Sequence, residues 1–131
     1  MRHLVLIALA LTPGASVAQG DVDWSRAEVL EVTLTNFAFA PNALRLERGT
    51  VYRLHLVNNG SGGHSFVAPE LFAAATVSPA DQTKLKDGGI ELARGGTADI
   101  SFVPRNAGAY PIRCTHFLHT SFGMTGRAEI L

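Results

Sequence analysis

A chain of 131 residues has room for one domain with a modest core. Apolar residues make up 47% of it and charged residues 17%, a balance that suits a folded globule and excludes a disordered chain. Eleven basic residues offset eleven acidic ones, so no basic patch points to nucleic acid and no acidic tail is present.

Residues 1–18 read as a secretory signal peptide. Met1-Arg2-His3 is a short positive start, Leu4 to Leu11 is an apolar run, and Pro13-Gly14 breaks any helix. Ser16-Val17-Ala18 then places small residues where a signal peptidase cleaves, with the cut expected after Ala18. The apolar run is too short for a membrane anchor, which needs about 20 such residues. Export predicts a periplasmic protein, with residues 19–131 as a single domain, no membrane span after processing and a net charge of −1 once Arg2 is gone. The single cysteine, Cys114, cannot make an internal disulfide. In an oxidising compartment such a thiol is a liability unless a ligand or partner occupies it.

Asp21 to Arg26 is a polar lead-in around Trp24. From Glu28 to Thr35, Leu30, Val32 and Leu34 alternate with polar residues, the pattern of a half-buried strand. Phe37, Phe39 and Pro41 follow, and Leu44 and Leu46 alternate with Arg45 and Glu47. Val51 to Val57 is another strand, with Tyr52, Leu54 and Leu56 on one face and His55 on the opposite, surface side. Asn58 to Gly63 is turn chemistry, and His64 to Val67 resumes extended structure. The Ala-rich stretch from Pro69 to Lys86 predicts one or two helical turns leaving the sheet, with Ser78 capping a turn begun at Pro79. Ile90 to Leu92, Ala98 to Val103, Tyr110 to Cys114 and Arg127 to Leu131 complete the strands. Short strands joined by Gly, Pro and Asn turns predict an all-β fold, an antiparallel β-sandwich or small barrel with a short helical excursion. No internal repeat, low-complexity tract or interdomain linker is present.

The chemistry concentrates in Cys114-Thr-His-Phe-Leu-His119-Thr-Ser-Phe-Gly-Met124. A thiol, an imidazole and a thioether lie within eleven residues, and His64 stands fifty residues upstream of Cys114. Two histidines, a cysteine and a weak methionine are the donor set of a blue-copper electron-transfer site. Taken singly, His64 reads as a surface or hydrogen-bonded histidine, Cys114 as a small buried hydrophobe and Met124 as core; it is their combination that points to a metal. Cys114 would bind as thiolate and the imidazoles neutral, each through one nitrogen.

Phe37-Ala-Phe-Ala-Pro41, Gly49, Asn58, His64, Tyr110-Pro-Ile-Arg-Cys114, His119, Gly123-Met124 and Gly126 together resemble the cupredoxins, across nearly all of residues 19–131. The Cys-x4-His-x4-Met spacing is similar to that of the azurin-type and rusticyanin-type members. The resemblance implies a Greek-key fold and one type 1 copper ion, cycling between Cu(II) and Cu(I), held by His64, Cys114, His119 and the axial Met124. It also implies that Ser65, the residue after the first ligand, donates to the thiolate sulfur. The sequence departs from the pattern at His116, which gives Cys-x-His-x2-His. We expect the chain to turn after Cys114, leaving His116 beside the ligands or at the surface; ligation by His116 would instead put His119 or Met124 in doubt. Phe117, Leu118 and Phe122 read either as ordinary core or as the apolar patch through which the loop histidine of a cupredoxin meets its redox partners.

Two functions from different classes follow. One is a periplasmic, monomeric carrier of single electrons that docks transiently with a cytochrome, oxidase or reductase. The other is a copper-binding protein of tolerance or delivery, suggested by the extra His116. An enzyme is disfavoured, since copper oxidases and nitrite reductases need further copper sites and one cysteine excludes a dinuclear CuA centre.

Overall fold

The computed structural model describes residues 21–116 and 118–131. The expected signal peptide lies outside the described residues. A single 3-10 turn, Trp24–Arg26, opens the described chain, with the Asp23 carboxylate accepting the Ser25 N–H at 3.1 Å. Ten strands follow: β1 Glu28–Thr35, β2 Ala38–Ala40, β3 Ala43–Leu46, β4 Tyr52–Asn58, β5 His64–Val67, β6 Ala75–Val77, β7 Gly89–Leu92, β8 Thr97–Pro104, β9 Gly108–Arg113 and β10 Thr125–Ile130.

They form two five-stranded sheets, ordered β2-β1-β4-β8-β6 and β3-β10-β9-β5-β7. The alternating apolar residues face inward, as a sandwich requires. Val32, Leu34, Leu54, Leu56, Ile100 and Phe102 of the first sheet join Leu44, Leu46, Phe66, Ile112, Ala128 and Ile130 of the second in one buried cluster. Burying each large side chain contributes about 1.5–3 kcal/mol. The all-β sandwich is therefore as expected, although the pairing is mixed rather than wholly antiparallel. β1 runs parallel to β4, with Leu30 opposite Leu54, and β3 runs parallel to β10, with Leu44 opposite Ala128.

The stretch from Pro69 to Lys86 differs from the expectation in one respect. Two short helices are present, α1 Pro69–Ala73 and α2 Pro79–Gln82, but β6 between them returns to the first sheet as an edge strand antiparallel to β8. Pro79 starts α2 as expected. Ser78, however, makes no side-chain cap; its carbonyl accepts the Asp81 and Gln82 N–H groups at 2.9 and 3.0 Å. His55, expected at the surface, is partly buried, with Nδ1 at 2.8 Å from an Asp99 carboxylate oxygen on the outer face of the β4/β8 pair.

Strand ends place the chemistry. β9 and β10 pair antiparallel with Arg113 opposite Thr125, so the loop from 114 to 124 projects from one end of the second sheet. β5 lies on the other side of β9, with Val67 opposite Arg113, and brings His64 and Ser65 to the same end.

Candidate metal centre

Cys114 continues the inward alternation of Ile112 and is fully buried. The loop beyond it is tied by its own backbone. The Cys114 N–H donates to the Met124 carbonyl at 3.2 Å, the Met124 N–H to the His119 carbonyl at 3.0 Å, and the His119 N–H to the His116 carbonyl at 3.1 Å. One 3-10 turn, Thr120–Phe122, fills the remaining arc, and Gly123 takes the left-handed φ of 91° that lets the chain enter β10. Met124 is completely buried at the foot of this loop.

His64 is held from the opposite side by the turn between β4 and β5. Asn58, wholly buried, places its side-chain NH2 within 3.0 Å of the Gly62 and Leu92 carbonyls and 3.1 Å of the Ala93 carbonyl. Its Oδ1 accepts the Gly60 N–H at 2.9 Å. One amide thus fastens the Gly-rich turn to the strand beside it, and the flat Gly60 backbone lies against the His64 ring. Asn36, at the end of β1, completes the clamp. Its Oδ1 accepts the Ser61 N–H at 3.0 Å and lies 3.1 Å from His64 Nε2, while its NH2 donates to Ser61 Oγ at 2.7 Å.

That arrangement assigns the imidazole. Because Asn36 Oδ1 is an acceptor, His64 carries its proton on Nε2 and turns the Nδ1 lone pair inward. Nδ1 lies 3.1 Å from His119 Nδ1 and 3.9 Å from Cys114 Sγ, and His119 Nδ1 is 3.4 Å from the same sulfur. All three donor atoms fall within 4.8 Å of one another. Burial holds the His64 pKa below its ordinary value, His119 and His116 act in the same direction, and the Glu91 carboxylate opposes them. A neutral imidazole is the form that binds a metal.

Three electron-pair donors aimed at one point fit a cation between them. A soft thiolate with two imidazoles suits copper or zinc, and Met124, which closes the same loop, is fully buried. The set fits a single type 1 copper ion.

Ser65 also lies at the sulfur. Its N–H donates to Cys114 Sγ at 3.4 Å and its hydroxyl is 3.7 Å away, while Ser65 Oγ accepts the Thr115 N–H at 2.9 Å. His116 lies outside the converging trio. Its Nε2 is in contact with the Glu91 carboxylate, and its ring is stacked on that of His119 at 5.2 Å between centroids. Leu118 and Phe122 are 47% and 61% exposed, so they are surface rather than core. Phe117 lies outside the described residues.

Three contributors are absent from the sequence reading of the site. Asn36 and Glu91 carry no local signal, because each meets its histidine across 25 or more residues of chain. Phe37 stands edge-on to His119 at 5.0 Å and against Phe122 at 5.1 Å. Its positive φ of 68° is a conformation that a bulky residue rarely takes.

No protein-family profile and no curated protein matches the chain. Solved structures do match its fold. A dithionite-reduced auracyanin from the photosynthetic bacterium Roseiflexus castenholzii is 18% identical with a TM-score of 0.59, over 80% of this chain and 98% of the auracyanin. Auracyanin B is 24% identical with a TM-score of 0.60, over 81% of this chain and 90% of its own. The McoA multicopper oxidase of the hyperthermophile Aquifex aeolicus is 16% identical with a TM-score of 0.62, over 83% of this chain but only 30% of the oxidase. The fold is that of the cupredoxins, to which the auracyanins belong.

Proposed function

We propose that this protein is a periplasmic type 1 copper protein that carries single electrons between redox partners. The observation behind this reading is the convergence of Cys114 Sγ with the Nδ1 atoms of His64 and His119 at one end of a sandwich. His64, Cys114 and His119 would hold the copper, with Met124 as the weak axial donor. The bound metal supplies a one-electron Cu(II)/Cu(I) couple.

The chain's own residues shape that couple. The Ser65 N–H and hydroxyl face the sulfur and stabilise negative charge on it, which raises the reduction potential. The backbone bonds that close the 114–124 loop, and the Asn58 and Asn36 clamps on the other side, keep the donors from moving as the charge changes. His119 is the least buried of the three donors and offers the edge through which the electron passes. Phe37, Leu118 and Phe122 surround it with exposed apolar surface, 39% to 61% accessible, suited to brief contact with a cytochrome, oxidase or reductase. We include Phe117 in the same docking patch. With little net charge, docking depends on apolar contact more than on long-range steering.

The chain spans nearly the whole length of the auracyanins and less than half of the multicopper oxidases it matches. A carrier is favoured by the donor set itself: among the described residues one His-Cys-His group converges, and a single copper suits one-electron transfer. Export fits the signal-peptide character of residues 1–18. Among the described residues no helix is long and apolar enough to cross a membrane. We take the working form to be a monomer. The delivery reading turns on His116, and its contact with Glu91 supports a role beside the donor set rather than within it.

The test is repeated reduction and oxidation of the copper-loaded protein in the presence of a Cu(I) chelator. A carrier returns its full visible absorption after many cycles. Loss of copper to a modest chelator within a few cycles would favour delivery instead.

A further inference from the structure

Cys114 and Met124 are fully buried and His64 is 1% exposed, so an ion bound among them must pass a defined opening. A cleft of about 260 Å³ opens onto His64 and His119, lined also by Asn36, Phe37, Ser61 and His116. His116 forms one wall, its ring nearly parallel to that of His119, with 17° between the planes. Glu91, on β7, meets that wall from outside the residues lining the cleft, its side chain 62% exposed and its carboxylate against His116 Nε2. A Cβ on Gly63 would lie 3.1 Å from the His116 ring and 3.3 Å from the carboxylate, so the bare backbone there gives the pair room beside the cleft.

A carboxylate and an imidazole are ordinary donors for Cu(II), and both can replace water on an incoming ion. From the copper reading above, we infer that Glu91 and His116 form a capture site for aqueous Cu(II) at the mouth of the cleft. The ion binds there first, exchanging water for the Glu91 oxygen and His116 Nε2, whose proton leaves to solvent. It then moves past the His119 ring to His64 and Cys114, and the thiol proton leaves to solvent as the sulfur binds. No electron is transferred in loading. The pair acts on the rate of filling rather than on the filled site, because neither residue belongs to the converging donor set.

The experiment mixes metal-free protein with increasing aqueous Cu(II) in a stopped-flow spectrometer and follows the thiolate-to-copper absorption. Wild type is expected to show a loading rate that saturates with copper concentration, the mark of a bound intermediate. Glu91→Gln and His116→Ala are expected to load several-fold to about tenfold more slowly and without saturation, yet to reach the same final spectrum and reduction potential. A rate linear in copper for wild type, or unchanged rates in both variants, overturns the capture site while leaving the copper centre standing. A final spectrum altered by His116→Ala also overturns it, since His116 would then be part of the centre. Absence of the absorption in wild type would instead remove the copper reading itself.

Discussion

Replacing Gly60 by alanine isolates the contact that holds His64 in position. Gly60 does not occupy the left-handed region, so its backbone accepts an alanine without strain. The difficulty is space. The new methyl would lie 2.6 Å from His64 Cδ2 and 2.9 Å from Asn36 Oδ1, whereas carbon atoms in contact prefer about 3.5–4.0 Å. The imidazole would have to move by about 1 Å, and at 1% exposure it has nowhere to go without disturbing its neighbours. Overpacking of this kind costs about 1–3 kcal/mol, which for a domain of this size lowers the melting temperature of the metal-free protein by about 4–12 °C. The same shift exceeds the roughly 0.2 Å that a metal–nitrogen bond tolerates, so the copper absorption of Gly60→Ala should weaken and its copper affinity should fall. Gly62→Ala is the control, because a methyl there meets nothing within 4 Å. Thermal unfolding and copper titration of the two variants make the comparison. If Gly60→Ala matches Gly62→Ala in both, the steric account of the His64 position is wrong.

Asn36→Ala removes the acceptor facing His64 Nε2 and frees the ring to turn; copper affinity, measured by competition with a chelator, should fall about 10–100-fold, the usual effect of losing such a partner. Asn58→Ala strips partners from the Gly60 N–H and from carbonyls at Gly62, Leu92 and Ala93. Each group left unsatisfied costs about 1–3 kcal/mol, so urea unfolding should show a loss of at least about 2 kcal/mol. The depressed pKa of His64 sets a pH dependence. Between its folded value and the ordinary 6.5, the unfolded chain binds the proton and the folded chain does not, so the stability of the metal-free protein falls as pH drops below 6.5. That slope should be reduced in a His64→Asn variant; identical slopes in urea titrations of the two proteins would contradict the assignment.

Much of this architecture was legible because alternation is a local signal. Glu28–Thr35 is a strand over the very residues whose pattern predicted it, and Tyr52, Leu54 and Leu56 face the core as their spacing required. Alternation gives faces, not partners, so the parallel pairing of β1 with β4 and of β3 with β10 was not readable. β6 was missed because Ala75–Val77 is three residues long and sits among alanines between two prolines, with too short a run to show a period. At the site, Cys114, His119 and Met124 stood out because they share one loop, and His64 because it follows a distinctive Gly-rich turn. Asn36, Phe37 and Glu91 did not, since their roles exist only once β1 and β7 are brought beside that loop. His116 illustrates the limit well. Its spacing allows either ligation or a surface position, and its partner Glu91 comes from a strand that the sequence does not place beside it.

The most direct test of the central claim is a titration of the metal-free protein with Cu(II), recorded by visible and electron paramagnetic resonance spectroscopy. The account predicts one equivalent bound, an intense thiolate-to-copper absorption and narrow copper hyperfine splitting, all abolished by Cys114→Ala and retained in His116→Ala. Weak absorption with the wide splitting of an ordinary nitrogen and oxygen site, indifferent to the loss of Cys114, would contradict it.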